Sequence, residues 1–163
     1  MWERFCFYGM RGMLIYFMVT ELMLNDSVAN LQYGATQAFV YAFTFIGGLF
    51  ADKILGYRKS LFWGGILMIA GSLILAIDPK TFFFFGISFT IIGTGFFKPN
   101  ISTMVGQLYP KNDSRIDGAF TIFYMGINMG AFFSPLVCGG FSEFKYGFLA
   151  AAIGMVISLI SFE

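Results

Sequence analysis

Six apolar stretches separated by short polar segments restrict this chain to one broad class of fold. The stretches occupy residues 2–24, 29–55, 60–77, 81–109, 117–140 and 146–162. A helix needs roughly 20 apolar residues to cross the hydrocarbon core of a bilayer, and these stretches approach or exceed that length. With 58% hydrophobic and only 12% charged residues, the composition lies far from that of soluble domains. The sequence therefore predicts an all-α membrane protein, with six transmembrane helices in one bundle over residues 1–163.

The residue types that are scarce exclude several classes of function. The 163 residues include no histidine, which removes Ser-His and Cys-His nucleophilic pairs and imidazole metal sites. Cys6 and Cys138 each stand alone in an apolar segment, so neither a disulfide framework nor a zinc site is indicated. A formal net charge of +1 without a basic run argues against nucleic-acid binding. We therefore expect no enzyme activity, no catalytic residue, no metal and no nucleic-acid partner.

Lysine and arginine are distributed unevenly over the loops, and this predicts the orientation of the helices. Cytoplasmic loops of membrane proteins are enriched in these residues. The loops after the second and fourth stretches carry Lys53, Arg58, Lys59, Lys111 and Arg115, whereas the loops on the other face carry Lys80 and Lys145. Both ends of the chain are therefore predicted to be cytoplasmic. Because the chain begins within an apolar stretch, we also expect further residues before Met1 and after Glu163.

A lysine at the end of a long uncharged segment is the first candidate functional residue. Lys98 follows sixteen uncharged residues, 82–97. An ammonium inside the bilayer costs roughly 2.5 to 3.5 kcal/mol, so it normally has a partner and a function. The alternative is that the helix stops at Phe97, before the helix-breaking Pro99, and that Lys98 only reaches toward the interface.

The first stretch carries further charges inside a predicted span. Arg4, Tyr8 and Arg11 share one face of a helix, and Glu3 lies beside it. Together with Lys98, one carboxylate is then set against three cations. A membrane interior does not tolerate that imbalance without a counter-ion. The sequence thus predicts a missing anion, which is a residue outside this chain, a carboxylate of a transported substrate, or both.

Polar and small residues in the middle of other spans are candidates for contacts between helices. Tyr41 and Asn128 either add hydrogen bonds to the same cavity or join neighbouring helices. Glycine pairs favour close packing of membrane helices, because small residues let backbones approach. These pairs are Gly47 with Gly48, Gly64 with Gly65, Gly93 with Gly95, and Gly126 with Gly130.

Four longer segments, spread in order over nearly the whole chain, carry a family signature. They are Glu-Arg-Phe-Cys-Phe-Tyr-Gly at 3–9, Gly-Gly-Leu-Phe-Ala-Asp-Lys-Ile-Leu-Gly-Tyr-Arg-Lys at 47–59, Gly-Phe-Phe-Lys-Pro-Asn-Ile-Ser at 95–102, and Phe-Tyr-Met-Gly-Ile-Asn-Met-Gly-Ala at 123–131. The first, third and fourth resemble the hallmark segments of the proton-dependent oligopeptide transporters. The second is similar to the loop motif of the major facilitator superfamily, to which that family belongs. The family's first signature glutamate would fall just before Met1.

This resemblance implies an activity and assigns roles to residues. It implies the amino-terminal six-helix bundle of a symporter that moves di- and tripeptides together with protons by alternating access. Proton coupling is implied for Glu3, Arg4 and Lys98. Substrate binding is implied for Tyr8, Arg11, Tyr41, Lys98 and Asn128, and a conformational latch for Asp52 and Arg58. The implied partners are a peptide, the lipid bilayer and a carboxy-terminal bundle absent from this chain. The implied location is the cell membrane, of the bacterial inner type, with the proton as coupling ion and no cofactor.

Two other interpretations stay open at this point. One is transport of another small anion, such as nitrate, on the same fold. Related nitrate carriers often lose parts of the glutamate-arginine signature, so the retention of Glu3 and Arg4 favours peptides. The other is a truncated remnant that does not transport.

Overall fold

Six α-helices form the protein in the computed structural model, which describes residues 1–110 and 113–162. They are α1 (Trp2–Thr20), α2 (Asp26–Phe50), α3 (Tyr57–Ile77), α4 (Phe83–Gln107), α5 (Ile116–Cys138) and α6 (Phe144–Ile160). A π-helical turn, Ala51–Leu55, continues α2 toward α3. The described residues include no β-strand, so the predicted all-α fold is confirmed.

The first helix ends at Thr20, before the predicted end at Leu24. Beyond this end the chain turns away from the helix, and Met23 has a φ of 53°, in the left-handed region. Such a residue cannot continue a right-handed helix. The Leu24 N–H instead donates to the Met18 carbonyl oxygen at 3.1 Å, which closes a wider turn at the end of α1.

Length and composition separate the helices into two groups. Asp26–Leu55, Tyr57–Ile77 and Ile116–Cys138 are long and apolar enough to cross a membrane, and Phe144–Ile160 is a shorter apolar helix. The remaining helices, α1 and α4, fall outside this set. They carry the charged residues that the sequence placed inside the bilayer, so polar chemistry is concentrated in these two helices.

The core is built around α1. This helix packs against α5 and α6, while α3 packs against α4 and α6, and α2 packs against α4. At one end of the bundle, Phe17 of α1 stacks on Phe83 of α4 with ring centroids 5.3 Å apart. The edges of Phe144 and Phe148 of α6 meet the same ring at 5.2 and 6.0 Å. We call these four residues the aromatic cluster.

Glycines bring α4 close to both α2 and α3. A Cβ atom on Gly47 would overlap the backbone carbonyl of Gly95, whose carbon would lie 2.6 Å away. A Cβ atom on Gly64 would lie 2.8 Å from the Gly93 carbonyl oxygen. These contacts confirm the packing predicted for these glycines. Gly48 differs from its neighbour Gly47, because the nearest atom to its Cβ position is 3.9 Å away.

The fifth helix touches the bundle through a narrow stripe. Its buried residues, Gly130, Ser134 and Cys138, are spaced four apart and therefore lie along one face. At Gly130 a Cβ atom would collide with the Met1 carbonyl of α1's first turn, which confirms close packing there. Gly126 has ordinary spacing, with the nearest atom 3.8 Å from its Cβ position.

Salt bridges pair cations with carboxylates at both ends of the bundle. At the end predicted to face outward, Lys80 pairs with Glu21 at 2.7 Å and Lys145 pairs with Glu143 at 2.6 Å. At the end predicted to be cytoplasmic, Arg115 pairs with Asp113 at 2.8 Å. Lys111, which contributed to the orientation, lies outside the described residues.

Candidate functional site

The first turn of α1 buries an ion pair. Glu3 and Arg4 are only 4% and 8% exposed, and the Arg4 Nε atom lies 3.3 Å from Glu3 Oε2. The other carboxylate oxygen, Glu3 Oε1, is also buried and has no hydrogen-bond partner among the described residues. A buried polar atom without a partner is costly, so this oxygen is a candidate position for a proton or for another hydrogen-bond donor. A proton on this oxygen would neutralise the carboxylate and leave Arg4 without its ionised partner.

Lys98 lies within a continuous helix. The helix α4 runs through Pro99 to Gln107, so the alternative in which it stops at Phe97 is wrong. The partly buried Lys98 ammonium lies 4.9 Å from the centroid of the Tyr41 ring on α2, a cation-π contact. It is also within electrostatic reach of residues on α1, namely Arg4, Glu3 and Arg11. We call Glu3, Arg4, Arg11 and Lys98 the charged cluster.

The way in which α4 tolerates its proline also positions Lys98. Proline has no N–H, so the carbonyl of the residue four positions earlier, Gly95, loses its helical hydrogen bond. That carbonyl lies directly against Gly47 of α2. Because neither glycine has a side chain, the backbones of α2 and α4 meet at this level. Tyr41 and Lys98 are therefore held on adjacent helices that cannot separate without breaking this contact.

Asn100 joins α4 to α3 on the opposite side, a role that the sequence did not reveal. Its side chain is 1% exposed. The Nδ2 atom donates to Ser60 Oγ at 2.9 Å and to the Phe96 carbonyl oxygen at 2.6 Å. A primary amide directly after a proline in an apolar helix was the available signal, because such a group needs internal partners in a membrane.

Tyr33 is a second residue that the sequence analysis missed. The Arg11 Nε atom donates to the Tyr33 hydroxyl oxygen, and the guanidinium carbon lies 5.6 Å from the centroid of the same ring. Tyr33 and Tyr41 are eight residues apart on α2, about two turns. Each of these two tyrosines therefore holds one cation of the charged cluster. A tyrosine pair at this spacing on a helix that faces α1 and α4 was the signal that could have identified Tyr33.

The other predicted substrate residues are less closely tied to the cluster. Tyr8 is partly exposed, and its ring meets the edge of Phe7 with centroids 5.4 Å apart. Asn128 is exposed on α5, and the hydrogen bonds within the described part of the chain do not include it. The structure thus brings Tyr41 into contact with the charged cluster, whereas Asn128 contributes no contact to it here.

The predicted latch residues lie on either side of a turn, at the end of the bundle that is predicted to be cytoplasmic. Asp52 is exposed on the π-helical turn and Arg58 is exposed at the start of α3. Between them, Gly56 has a φ of 76°, a backbone conformation that residues other than glycine rarely adopt. The salt bridges of residues 1–110 and 113–162 do not join Asp52 to Arg58. Their role as a latch stays a prediction.

The arrangement favours an anion near the charged cluster. Lys98 of α4 lies within electrostatic range of Glu3, Arg4 and Arg11 of α1, and the formal charges of these four groups sum to +2 if all are ionised. Two of the cations, Arg11 and Lys98, are held by tyrosines and are only partly buried, so both can meet a ligand. Within the described residues there is no group of three or more His, Cys, Asp or Glu side chains that could hold a metal ion.

Comparisons with known proteins point to transporters. The model of the POT family matches residues 58–163. The chain is 41% identical to the uncharacterized transporter YclF of Bacillus subtilis and 40% identical to a di-/tripeptide transporter of Lactococcus lactis, over 99% of its own length in each case. It is similar to the crystal structure of the peptide transporter POT in complex with sulfate, at 41% identity and a TM-score of 0.94 over 99% of the chain. The chain spans about 35% of the length of each of these proteins.

Proposed function

Because this chain belongs to the POT family, we propose that it forms the amino-terminal half of a proton-coupled symporter of di- and tripeptides. The single observation that carries this proposal is the charged cluster, in which a buried carboxylate with an unpartnered oxygen adjoins three cations. Such a group suits a proton that must be bound and released, and the excess of cations suits a substrate carboxylate. Relatives named as peptide transporters supply the substrate class.

We assign the proton to Glu3. Ionised Glu3 holds Arg4 at 3.3 Å and attracts Lys98. When the carboxyl group is protonated, this attraction is lost and the cations are left without their only negative neighbour in the cluster. They then favour the arrival of another anion. Proton and peptide binding are thereby coupled, because protonation of Glu3 leaves the cations uncompensated and the peptide carboxylate then compensates them.

The peptide carboxylate is assigned to Arg11 and Lys98. Both cations lie against tyrosine rings, which orient them without neutralising them. In this proposal Tyr8, Tyr41 and Asn128 line the pocket, and a second six-helix bundle receives the peptide's amino end.

Asp52 and Arg58 act as the latch between the bundles. The two bundles rock around the central site. The proton is the coupling ion, no cofactor is required, and the location is the cell membrane with cytoplasmic chain ends, as in bacteria.

Uptake by the complete protein in proteoliposomes tests the role of Lys98. We expect Lys98→Ala to abolish proton-driven accumulation of a dipeptide. Lys53→Ala, which removes an exposed lysine at the cytoplasmic end, is the matched control and should leave uptake unchanged. Undiminished uptake by the Lys98 variant would overturn its assigned role.

A second experiment separates proton coupling from substrate binding. Glu3→Gln should lose accumulation against a gradient but retain exchange of labelled for unlabelled peptide across the membrane. Glu21→Gln removes a carboxylate that pairs with Lys80 at the bundle surface and is the control. Continued accumulation by the Glu3 variant would contradict proton binding at this residue.

A further inference from the structure

We propose that this bundle carries a site for the headgroup of an anionic phospholipid, between the start of α3 and the end of α6. A cavity of about 360 Å³ lies there, lined by Arg58, Lys59, Phe62, Trp63 and Phe162. It belongs to the end of the bundle that the lysine and arginine distribution places in the cytoplasm, and it is separate from the charged cluster. We call it the lipid site.

The two cations of the lipid site lack an acidic partner in the described part of the chain. Elsewhere at the helix ends, Lys80, Lys145 and Arg115 each have a carboxylate within 2.6 to 2.8 Å. The salt bridges formed by residues 1–110 and 113–162 include neither Arg58 nor Lys59. The first turn of α3 also contains no acidic residue, so the positive end of its helix dipole adds to the charge.

Aromatic rings continue the lipid site toward the membrane interior. Phe62 follows Arg58 by four residues and Trp63 follows Lys59 by four, so each ring lies one turn below a cation on the same face of α3. The Trp63 side chain is 55% exposed, and its ring meets the edge of Phe62 with centroids 6.2 Å apart. Tryptophan at this level is typical of residues at the membrane interface.

The ligand that fits both the cations and the aromatic rings of the lipid site is an amphiphile with an anionic headgroup. The phosphate group would lie against Lys59, and also against Arg58 when the proposed latch is open, while the acyl chains of the lipid would pass Trp63 and follow α3 into the bilayer. Basic pockets between helices on the cytoplasmic side are suited to anionic lipid headgroups. A soluble phosphate ester would gain nothing from the rings, so charge and apolar surface together favour a phospholipid such as phosphatidylglycerol.

Native mass spectrometry of the complete, detergent-solubilised protein tests this assignment. We expect added phosphatidylglycerol to be retained more strongly than phosphatidylcholine with the same acyl chains. Lys59→Gln should weaken phosphatidylglycerol binding by about fivefold, the contribution of one cation near an anionic lipid surface, and should leave phosphatidylcholine binding unchanged. Trp63→Ala should weaken binding of both lipids.

The matched control is Lys53→Gln, which removes an exposed lysine of the nearby π-helical turn that does not line the cavity. It should retain phosphatidylglycerol as the unaltered protein does. Equal losses in the Lys53 and Lys59 variants would indicate diffuse surface charge and would overturn the site. Equal retention of the two lipids by the unaltered protein would overturn it as well.

Competition with glycerol phosphate distinguishes a lipid from a free phosphate ester. We expect this soluble headgroup analogue, at the same concentration, to leave bound phosphatidylglycerol in place. Displacement by it would identify a site for soluble phosphates and would refute the lipid assignment.

Discussion

Two adjacent glycines of α2 offer a direct test of how this bundle holds its charged cluster. The prediction compares Gly47→Ala with Gly48→Ala. A Cβ atom at position 47 would overlap the Gly95 carbonyl and lie 2.9 Å from the Phe96 nitrogen. A Cβ atom at position 48 would meet only Pro99 Cβ, at 3.9 Å. Both substitutions add the same methyl group, but only Gly47→Ala forces two backbones apart.

The expected magnitudes follow from two opposing effects. Replacing a glycine by alanine inside a helix favours folding by up to about 1 kcal/mol, and both variants gain this. Overpacking a close contact costs about 1–3 kcal/mol, because backbone atoms cannot move aside as a flexible side chain can. Gly48→Ala should therefore be neutral or slightly stabilising. Gly47→Ala should have a free energy of unfolding roughly 1–3 kcal/mol lower than that of Gly48→Ala.

Thermal unfolding in detergent, followed by far-UV circular dichroism, measures this difference. Dipeptide uptake by the complete protein supplies a second readout, because separation of α2 from α4 moves Tyr41 away from Lys98. We expect Gly47→Ala to lower both the unfolding temperature and the uptake rate relative to Gly48→Ala. If Gly47→Ala is as stable as its neighbour, the contact between Gly47 and Gly95 does not set the spacing of these helices.

Three further predictions address single contacts. Tyr33→Phe should raise the KM for a dipeptide by up to about tenfold, because the hydrogen bond that orients Arg11 is lost; an unchanged KM in proteoliposomes would contradict this. Asn100→Leu should lower the free energy of unfolding by roughly 1–3 kcal/mol through the loss of two bonds, and an unaltered unfolding temperature would count against the link to Ser60. The hydrogen bond from Thr81 lowers the pKa of Asp78, in the loop before α4, below its ordinary value of 3.8. Ionised Asp78 therefore stabilises the fold above pH 3.8, and this stabilisation is lost as the pH falls through the lowered pKa. Asp78→Ala should therefore lower the unfolding temperature at neutral pH, with a difference that disappears in strong acid; a difference independent of pH would refute the assignment.

The sequence was sufficient for the fold class because hydropathy and helix length carry that information. The six helices and the close approach at Gly47, Gly64 and Gly130 follow from apolar length and from small residues, both of which are local properties. The sequence also indicated that Arg11 and Lys98 face the protein interior, since charges inside a bilayer must do so. The functional roles of these residues stay predictions.

The contacts that join the helices around these charges could not be derived from the sequence. Tyr33 and Asn100 act through contacts between helices, with Arg11 on α1 and with Ser60 on α3. Helical periodicity gives the face on which a residue lies, but it does not give the neighbour that occupies the opposite face. For the same reason Asn128 was assigned to the pocket by its motif, although its exposed position on α5 gives it no hydrogen bond in the described structure.

The aromatic cluster has a mechanical consequence for the molecule. Phe17, Phe83, Phe144 and Phe148 fasten three helices together at one end, and Lys98 lies about 22 Å from Phe83 along α4. The rings thus restrain α1, α4 and α6 relative to one another at this end, and amide hydrogens there should exchange slowly. A movement of α1 relative to α4 is therefore restricted near Phe17 and is larger near Glu3 and Arg4, at the other end of α1.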